Sequence, residues 1–177
     1  SIAEGFLDRV RRRMALLRVG DPLDKGIDMG AIVDPVQQRT IQGWIERGIS
    51  EGAEVYQPDC PLPEKGCWVL PTLITNVSSA SALVQEEILG PEVAAMTFRT
   101  PSEAVALANN TRYGLAASIW SENVNLALDV ARKVKAGSVW VNSTNLFDAA
   151  AGFGGYRESG FGREGGREGL FEYVRPK

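Results

Sequence analysis

The sequence predicts an α/β fold, and three observations lead there. From residue 93 onward, apolar β-prone runs alternate with helical periodicity in the order strand, helix, strand, helix, strand. That order implies parallel pairing through helical crossovers. Capping residues mark the helix starts, Asp34-Pro35 and Thr100-Pro101 with Glu103 three residues after Thr100. The composition, 44% hydrophobic and 23% charged over 177 residues, allows a core of real size. Residues 1–177 are therefore expected to form a single domain.

Taken in order, Ile2 to Leu17 reads as a basic amphipathic helix. Ile2, Phe6, Leu7, Val10, Met14 and Leu17 share one broad face, and Arg11, Arg12 and Arg13 read as a solvated one. Gly20-Asp21-Pro22 stops it. Gly26 to Val33 is a loop. Asp34 then caps a helix that begins at Pro35 and runs to about Glu51, ending at Gly52. Ala53 to Gln57 is a short strand, and Pro58 to Gly66, with three prolines, is a turn-rich loop. Trp68 to Val77 holds an extended segment around Pro71-Thr72-Leu73-Ile74.

Val93 to Arg99 is a strand, and Pro101 to Asn109 a helix with capping-box spacing. Leu115 to Trp120 is a strand of buried type. A helix starts at Ser121 or Asn123 and reaches about Val134, and Gly137 to Asn142 is the last strand. Ser143 to Arg163 is a long glycine-rich loop, a length that in a compact domain points to function. Glu164 to Tyr173 closes with a short helix.

Several function classes drop out. The net charge of −3, from 19 basic and 22 acidic residues, leaves no electrostatic footprint for nucleic acid. No apolar run approaches the ~20 residues of a membrane helix. No charged and apolar leader pattern follows Ser1. The chain has no histidine, which removes His-dependent nucleophile systems and most zinc sites from this segment. Cys60 and Cys67 match no metal-ligand spacing and read as reduced thiols, with a local disulfide as the alternative, and the reduced reading points to a cytoplasmic protein. No metal site is expected.

Two motifs need weighing. Gly160-Phe161-Gly162-Arg163-Glu164-Gly165 matches the dinucleotide-binding GxGxxG by letter. It lacks the preceding strand and the later acidic residue, and we reject that reading. Glu86-Glu87-Ile88-Leu89-Gly90-Pro91 places two carboxylates before a tight turn. They are either solvated acids or include one that accepts hydrogen bonds from vicinal hydroxyls such as those of a ribose.

Together, several segments resemble the aldehyde dehydrogenase superfamily. They are Pro71-Thr72-Leu73, Glu86 to Pro91, Asn109 to Ala117 (Asn-Asn-Thr-Arg-Tyr-Gly-Leu-Ala-Ala), Gly137 to Asn142, Phe153 to Gly160 (Phe-Gly-Gly-Tyr-Arg-Glu-Ser-Gly), and Gly162-Arg163-Glu164 with Gly169-Leu170. They keep the family's order and approximate spacing over nearly the whole chain. The resemblance implies a three-layer α/β domain with a mainly parallel sheet flanked by helices, present here in truncated form.

It also implies roles. Glu87 looks like the carboxylate that binds the nicotinamide ribose hydroxyls. Leu89 falls where the family commonly carries Phe beside the nicotinamide. Asn142 ends the last strand at the active-site mouth, and Phe147 and Phe153 fall at substrate-tunnel positions, with core packing as the plain alternative. Gly152 replaces a proline common before Phe-Gly-Gly, which loosens that loop.

The family's nucleophilic cysteine, oxyanion-hole asparagine, general-base glutamate and dinucleotide-binding domain correspond to sequence upstream of Ser1, so no catalytic residue is assigned within residues 1–177. The implied parent protein is an NAD(P)-dependent, homo-oligomeric enzyme that oxidises an aldehyde to a carboxylic acid. The segment alone is expected to be inactive, to hold no cofactor tightly, and to be capable of self-association. The alternative parent is a catalytically silent, dehydrogenase-like scaffold or interaction protein.

Overall fold

The computed structural model describes residues 2–175. The chain clusters into two compact units with the boundary between Thr97 and Phe98. Among the described residues, no helix is long and apolar enough to cross a membrane.

The first unit begins with α1 (Ala3–Met14), shorter than the expected Ile2 to Leu17 because the chain relaxes into turns after Met14. Arg11, Arg12 and Arg13 occupy its last turn, where positive charge faces the negative end of the helix dipole. Its apolar face is only partly covered, with Met14 buried and Phe6 exposed. Helix α2 (Pro35–Ser50) starts as the sequence predicts: Pro35 sits in the first turn, and Gln37 N donates to Asp34 Oδ1 at 2.7 Å. It ends one residue before the expected Glu51, with Gly52 at φ +94°.

Strands β1 (Glu54–Tyr56), β2 (Thr72–Thr75) and β3 (Glu92–Ala94) form a three-stranded sheet in that order. β1 runs antiparallel to β2, and β3 runs parallel to it. The β2–β3 crossover carries a one-turn helix, α3 (Ala82–Gln85), that periodicity did not reveal because four residues are too few to show it. Ser81 caps α3 by accepting from Leu83 N at 3.3 Å.

The core of this unit lies between α2 and the sheet. Ile41, Ile45, Val69, Ile74, Leu83 and Ile88 form it. Ile41 and Ile45 are one helical turn apart and share a face. Gly48 continues that face, and a Cβ there would overlap Leu83 Cδ1. Glycine at this position lets α2 and α3 approach. Buried Thr72 is satisfied, donating to Leu70 O at 2.8 Å and accepting from Gln57 Nε2 at 2.9 Å.

Glu92 is less comfortable. Its Oε1 is buried without a hydrogen-bond partner, and burial pushes its carboxyl above the usual carboxylate range.

The second unit holds α4 (Pro101–Asn109), β4 (Ala116–Ile119), α5 (Val124–Ala131), β5 (Ser138–Val141), a 3₁₀ turn (Arg157–Ser159) and α6 (Gly166–Phe171). β4 and β5 pair in parallel through α5, as the alternation predicts. The first strand of that alternation, β3, does not join β4 and β5 and takes its parallel partner in β2. Thr100 Oγ1 accepts from Glu103 N at 3.1 Å. The returning Glu103 carboxylate takes Arg99 N at 2.8 Å, and this bond, before the Arg99 side chain, holds it below the usual range. Asn109 ties the end of α4 to the α5–β5 connection, donating to Lys133 O at 2.9 Å and accepting from Lys135 N at 2.7 Å.

The glycine-rich stretch from Ser143 to Arg163 is more ordered than a loop. It carries the 3₁₀ turn and an antiparallel bridge between Phe153 and Glu164. A turn, not a strand, therefore precedes Gly160, in keeping with rejection of the GxGxxG reading.

Two predictions concern the first unit. Gly48→Val should lower unfolding free energy by about 2 kcal/mol through overpacking against Leu83, and a urea titration that leaves the midpoint unchanged would refute that packing. For Glu92, the folded chain holds the proton more tightly than the unfolded chain. The resulting penalty is absent at acid pH and grows as pH rises above the ordinary glutamate range. Glu92→Gln should therefore gain stability relative to the wild type as pH rises from about 4 to about 7, and a difference that stays flat in urea titrations at the two pH values would contradict it.

Candidate functional site

The turn after α3 is built by alternation. Glu87 is exposed, Ile88 is buried in the core, and Leu89 is exposed again. Leu89 adopts φ +58°, a left-handed conformation that costs a side-chain-bearing residue on the order of 1 kcal/mol. Two anchors hold it there. The Ile88 side chain is fixed by burial, and Gln37 Nε2 donates to Ile88 O at 2.6 Å and, at longer range, to Leu89 O at 3.4 Å. The turn then re-enters the sheet, where Thr72 N donates to Pro91 O at 2.9 Å. The result is an exposed carboxylate and an exposed isobutyl group two residues apart on a fixed backbone. A carboxylate in such a setting accepts two hydrogen bonds at once and suits a pair of vicinal hydroxyls.

In the second unit, Asn142 follows β5 at φ +52°. Both ends of its amide engage Ser121: Oδ1 accepts from Ser121 N at 2.8 Å, and Nδ2 donates to Ser121 O at 3.0 Å. Its side chain thus joins the ends of β4 and β5. Phe147 and Phe153 pack edge-to-face at 5.0 Å between ring centroids. Trp140, on β5, meets Phe147 at 5.7 Å and Phe153 at 6.3 Å. Trp140 Nε1 donates to Leu146 O at 2.9 Å, which ties the Phe147 loop to the strand. Phe147 remains 66% exposed, so one face of the cluster is open to a ligand or partner.

Close backbone approach sets where Phe153 lies. A Cβ on Gly137 would overlap Gly154 O, so the start of β5 packs directly on the glycine loop. Phe153 N donates to Glu164 O at 2.7 Å, and Glu164 N donates to Phe153 O at 2.8 Å. Phe153, Phe161, Arg163 and Tyr173 are among the residues lining an open groove of about 380 Å³.

The five residues singled out from sequence fall into two groups. Glu87 and Leu89 share the turn of the first unit, and Asn142, Phe147 and Phe153 belong to the second. Phe147 and Phe153 are in contact, and Asn142 is bound to Ser121. Sequence reasoning missed Gln37, Trp140 and Arg163. Gln37 carried a signal, because Asp34-x-x-Gln37 has capping spacing, but its side chain reaches Ile88 instead of closing a box. Trp140 read as an ordinary strand residue.

Cys60 and Cys67 are partly buried free thiols. Burial, and then Asp59, pushes the Cys60 thiol up, opposite to what an activated nucleophile needs. Among the described residues, no group of three or more His, Cys, Asp or Glu side chains converges as a metal site would.

The pattern of the Aldehyde dehydrogenase family matches residues 1–177. An aldehyde dehydrogenase of Agaricus bisporus is 38% identical over 176 residues, covering 99% of this chain and 35% of that protein. A betaine aldehyde dehydrogenase of Cereibacter sphaeroides is also 38% identical, over 99% of this chain and 36% of its own length. Among solved structures, the NAD+ complex of aldehyde dehydrogenase from Bacillus cereus superposes with a TM-score of 0.91 at 40% identity, covering 98% of this chain and 35% of that one. Betaine aldehyde dehydrogenase from Staphylococcus aureus in complex with NAD+ gives 0.90 at 35% identity, over 97% and 35%. The chain thus spans about a third of the length of the relatives it matches. With its motifs, its α/β fold and these matches in agreement, the chain belongs to the aldehyde dehydrogenase family.

Proposed function

We propose that residues 1–177 are a single partial catalytic domain, made of the two units, from an NAD(P)-dependent aldehyde dehydrogenase that oxidises an aldehyde to a carboxylic acid. The observation that carries this reading is the Glu87–Leu89 turn: an exposed carboxylate on a backbone fixed by Ile88 burial and by Gln37. These residues fit the nicotinamide riboside half of the cofactor. Glu87 would accept from the ribose hydroxyls, and Leu89 would offer an apolar wall to the ring. When bound, the nicotinamide supplies the electron acceptor for the oxidation.

The remaining parts of the reaction are assigned to sequence outside this chain: a cysteine thiolate that attacks the carbonyl, an oxyanion hole and a carboxylate base. Residues 1–177 position and enclose. Phe147 and Phe153 border the path of the aldehyde, with Trp140 bracing both rings and Asn142 closing the strand end at its mouth. An aromatic wall excludes water and suits apolar substituents, and ring faces also attract a quaternary ammonium group such as that of betaine aldehyde. The free cysteines support a cytoplasmic setting. Exposed Phe161 and Tyr173 support self-association of the isolated chain, and a homo-oligomeric parent rests on the family resemblance alone.

The test is NADH formation by the whole protein containing this segment, over aliphatic, aromatic and betaine aldehydes, with the 177-residue chain alongside. Activity is expected in the first and none in the second. Turnover by the isolated chain would remove the assignment of nucleophile and base to other sequence, and silence in a folded whole protein would favour a scaffold. In the active protein, Glu87→Gln should lower kcat/KM for NAD(P) about tenfold or more by weakening charge-assisted hydrogen bonds to the ribose. Unchanged cofactor kinetics would exclude Glu87 from the site.

A further inference from the structure

The Gly154–Gly162 loop bends so tightly that its own carbonyl groups converge. Arg163 lies at the point of convergence. With its two hydrogens, Nη1 donates across the loop to Gly155 O at 2.9 Å and locally, in a shared bond, to Gly162 O at 2.9 Å and Phe161 O at 3.2 Å. Its guanidinium also sits 5.3 Å from the centre of the Tyr156 ring, and its Nε lies 4.0 Å from Glu168 Oε2. At 23% exposure, this side chain is largely withdrawn from solvent.

The middle of the loop is tied to residues 109–114, with Tyr156 N donating to Gly114 O at 3.0 Å, Glu158 N to Arg112 O at 3.1 Å and Gly114 N to Ser159 Oγ at 3.0 Å, and Arg163 joins its two ends. Gly154 is pressed between Gly137 on one side and Gly162 with Arg163 on the other, and a Cβ on Gly154 would overlap Gly162 O. No side chain can interlock in that stack, so hydrogen bonds must keep it closed. The Phe153–Glu164 bridge abuts it directly, because Phe153 precedes Gly154 and Glu164 follows Arg163. Any opening at Arg163 therefore reaches the backbone that aims the Phe153 ring at Phe147 and Trp140.

We propose that Arg163 is a positioning residue for the aldehyde path, clamping the glycine loop through three carbonyl groups so that Phe153 keeps its place beside Phe147 and Trp140. This rests on the reading of Phe153 as part of the substrate wall. Arg163 touches neither substrate nor cofactor in this scheme, and its effect passes through the loop. Lysine, with an ammonium that also donates to several carbonyls, should replace it in part. Methionine, of similar length and without donors, should not.

The experiment compares Arg163→Met and Arg163→Lys in the whole protein. The first readout is the near-ultraviolet circular dichroism of Trp140, isolated as the difference from a Trp140→Phe background. Arg163→Met should lose that signal with its far-ultraviolet spectrum unchanged, and Arg163→Lys should regain much of it. The second readout is kinetic. KM for a phenyl-bearing aldehyde should rise about tenfold in Arg163→Met, kcat should stay within about twofold, and acetaldehyde kinetics should hardly move.

A wild-type Trp140 signal in Arg163→Met overturns the proposal, as does an equal loss of kcat for both aldehydes. Should Arg163→Met fail to fold, Arg163→Gln, which keeps two amide hydrogens, should give an intermediate Trp140 signal, and an unaltered signal there also overturns it. If the wild-type protein oxidises no aldehyde, the proposed function fails, and the spectroscopic readout still decides the clamp.

Discussion

The packing of one helix against one short sheet carries most of what the first unit offers to a ligand. Helix α2 is set by its Asp34 cap and Pro35 start, and its Ile41 and Ile45 face is buried against β2 and α3. That burial excludes water from the core. It also brings Gln37, at the start of the same helix, to the carbonyls of Ile88 and Leu89. The turn that exposes Glu87 is thus held from below by an apolar anchor and from the side by a polar one. A left-handed Leu89 persists only under such over-determination.

The second unit solves a different problem with different means. Its glycine-rich stretch has too few side chains to pack, so backbone lies on backbone at Gly137, Gly154 and Gly162. Such close layers need their carbonyl groups satisfied, and Arg163 meets three of them. The aromatic trio of Trp140, Phe147 and Phe153 sits at the edge of this stack, with Trp140 belonging to the rigid strand and the two phenylalanines to the loop. Rigidity in the strand, and closure in the loop, jointly define that aromatic surface.

Much of the architecture was legible beforehand because local rules and tertiary demands agree. Asp34 with Pro35, Thr100 with Pro101 and Asn123 mark helix starts that the structure keeps. The strand–helix–strand order from Leu115 to Asn142 gives the parallel β4–β5 pair. Where local signals were short, they failed. α3 has too few residues to display a period, and α1 loses its last expected turn where the chain leaves the helix for the bridge that pairs buried Val19 with Met29. The Gly160–Gly165 pattern was correctly set aside, because the dinucleotide fingerprint depends on a strand that these residues do not form.

Residue identity and order alone determined the class of fold, most helix boundaries, the family and the carboxylate-bearing turn, since each depends on local chemistry and spacing. Only tertiary structure decided that Gln37 grips that turn instead of closing its own capping box, that Asn142 spends both ends of its amide on Ser121, and that Arg163 reaches Gly155 O across a loop. These are long, flexible polar side chains. Their hydrogen-bond partners are chosen by whichever backbone groups folding leaves unsatisfied within reach, and spacing along the chain carries no record of that choice.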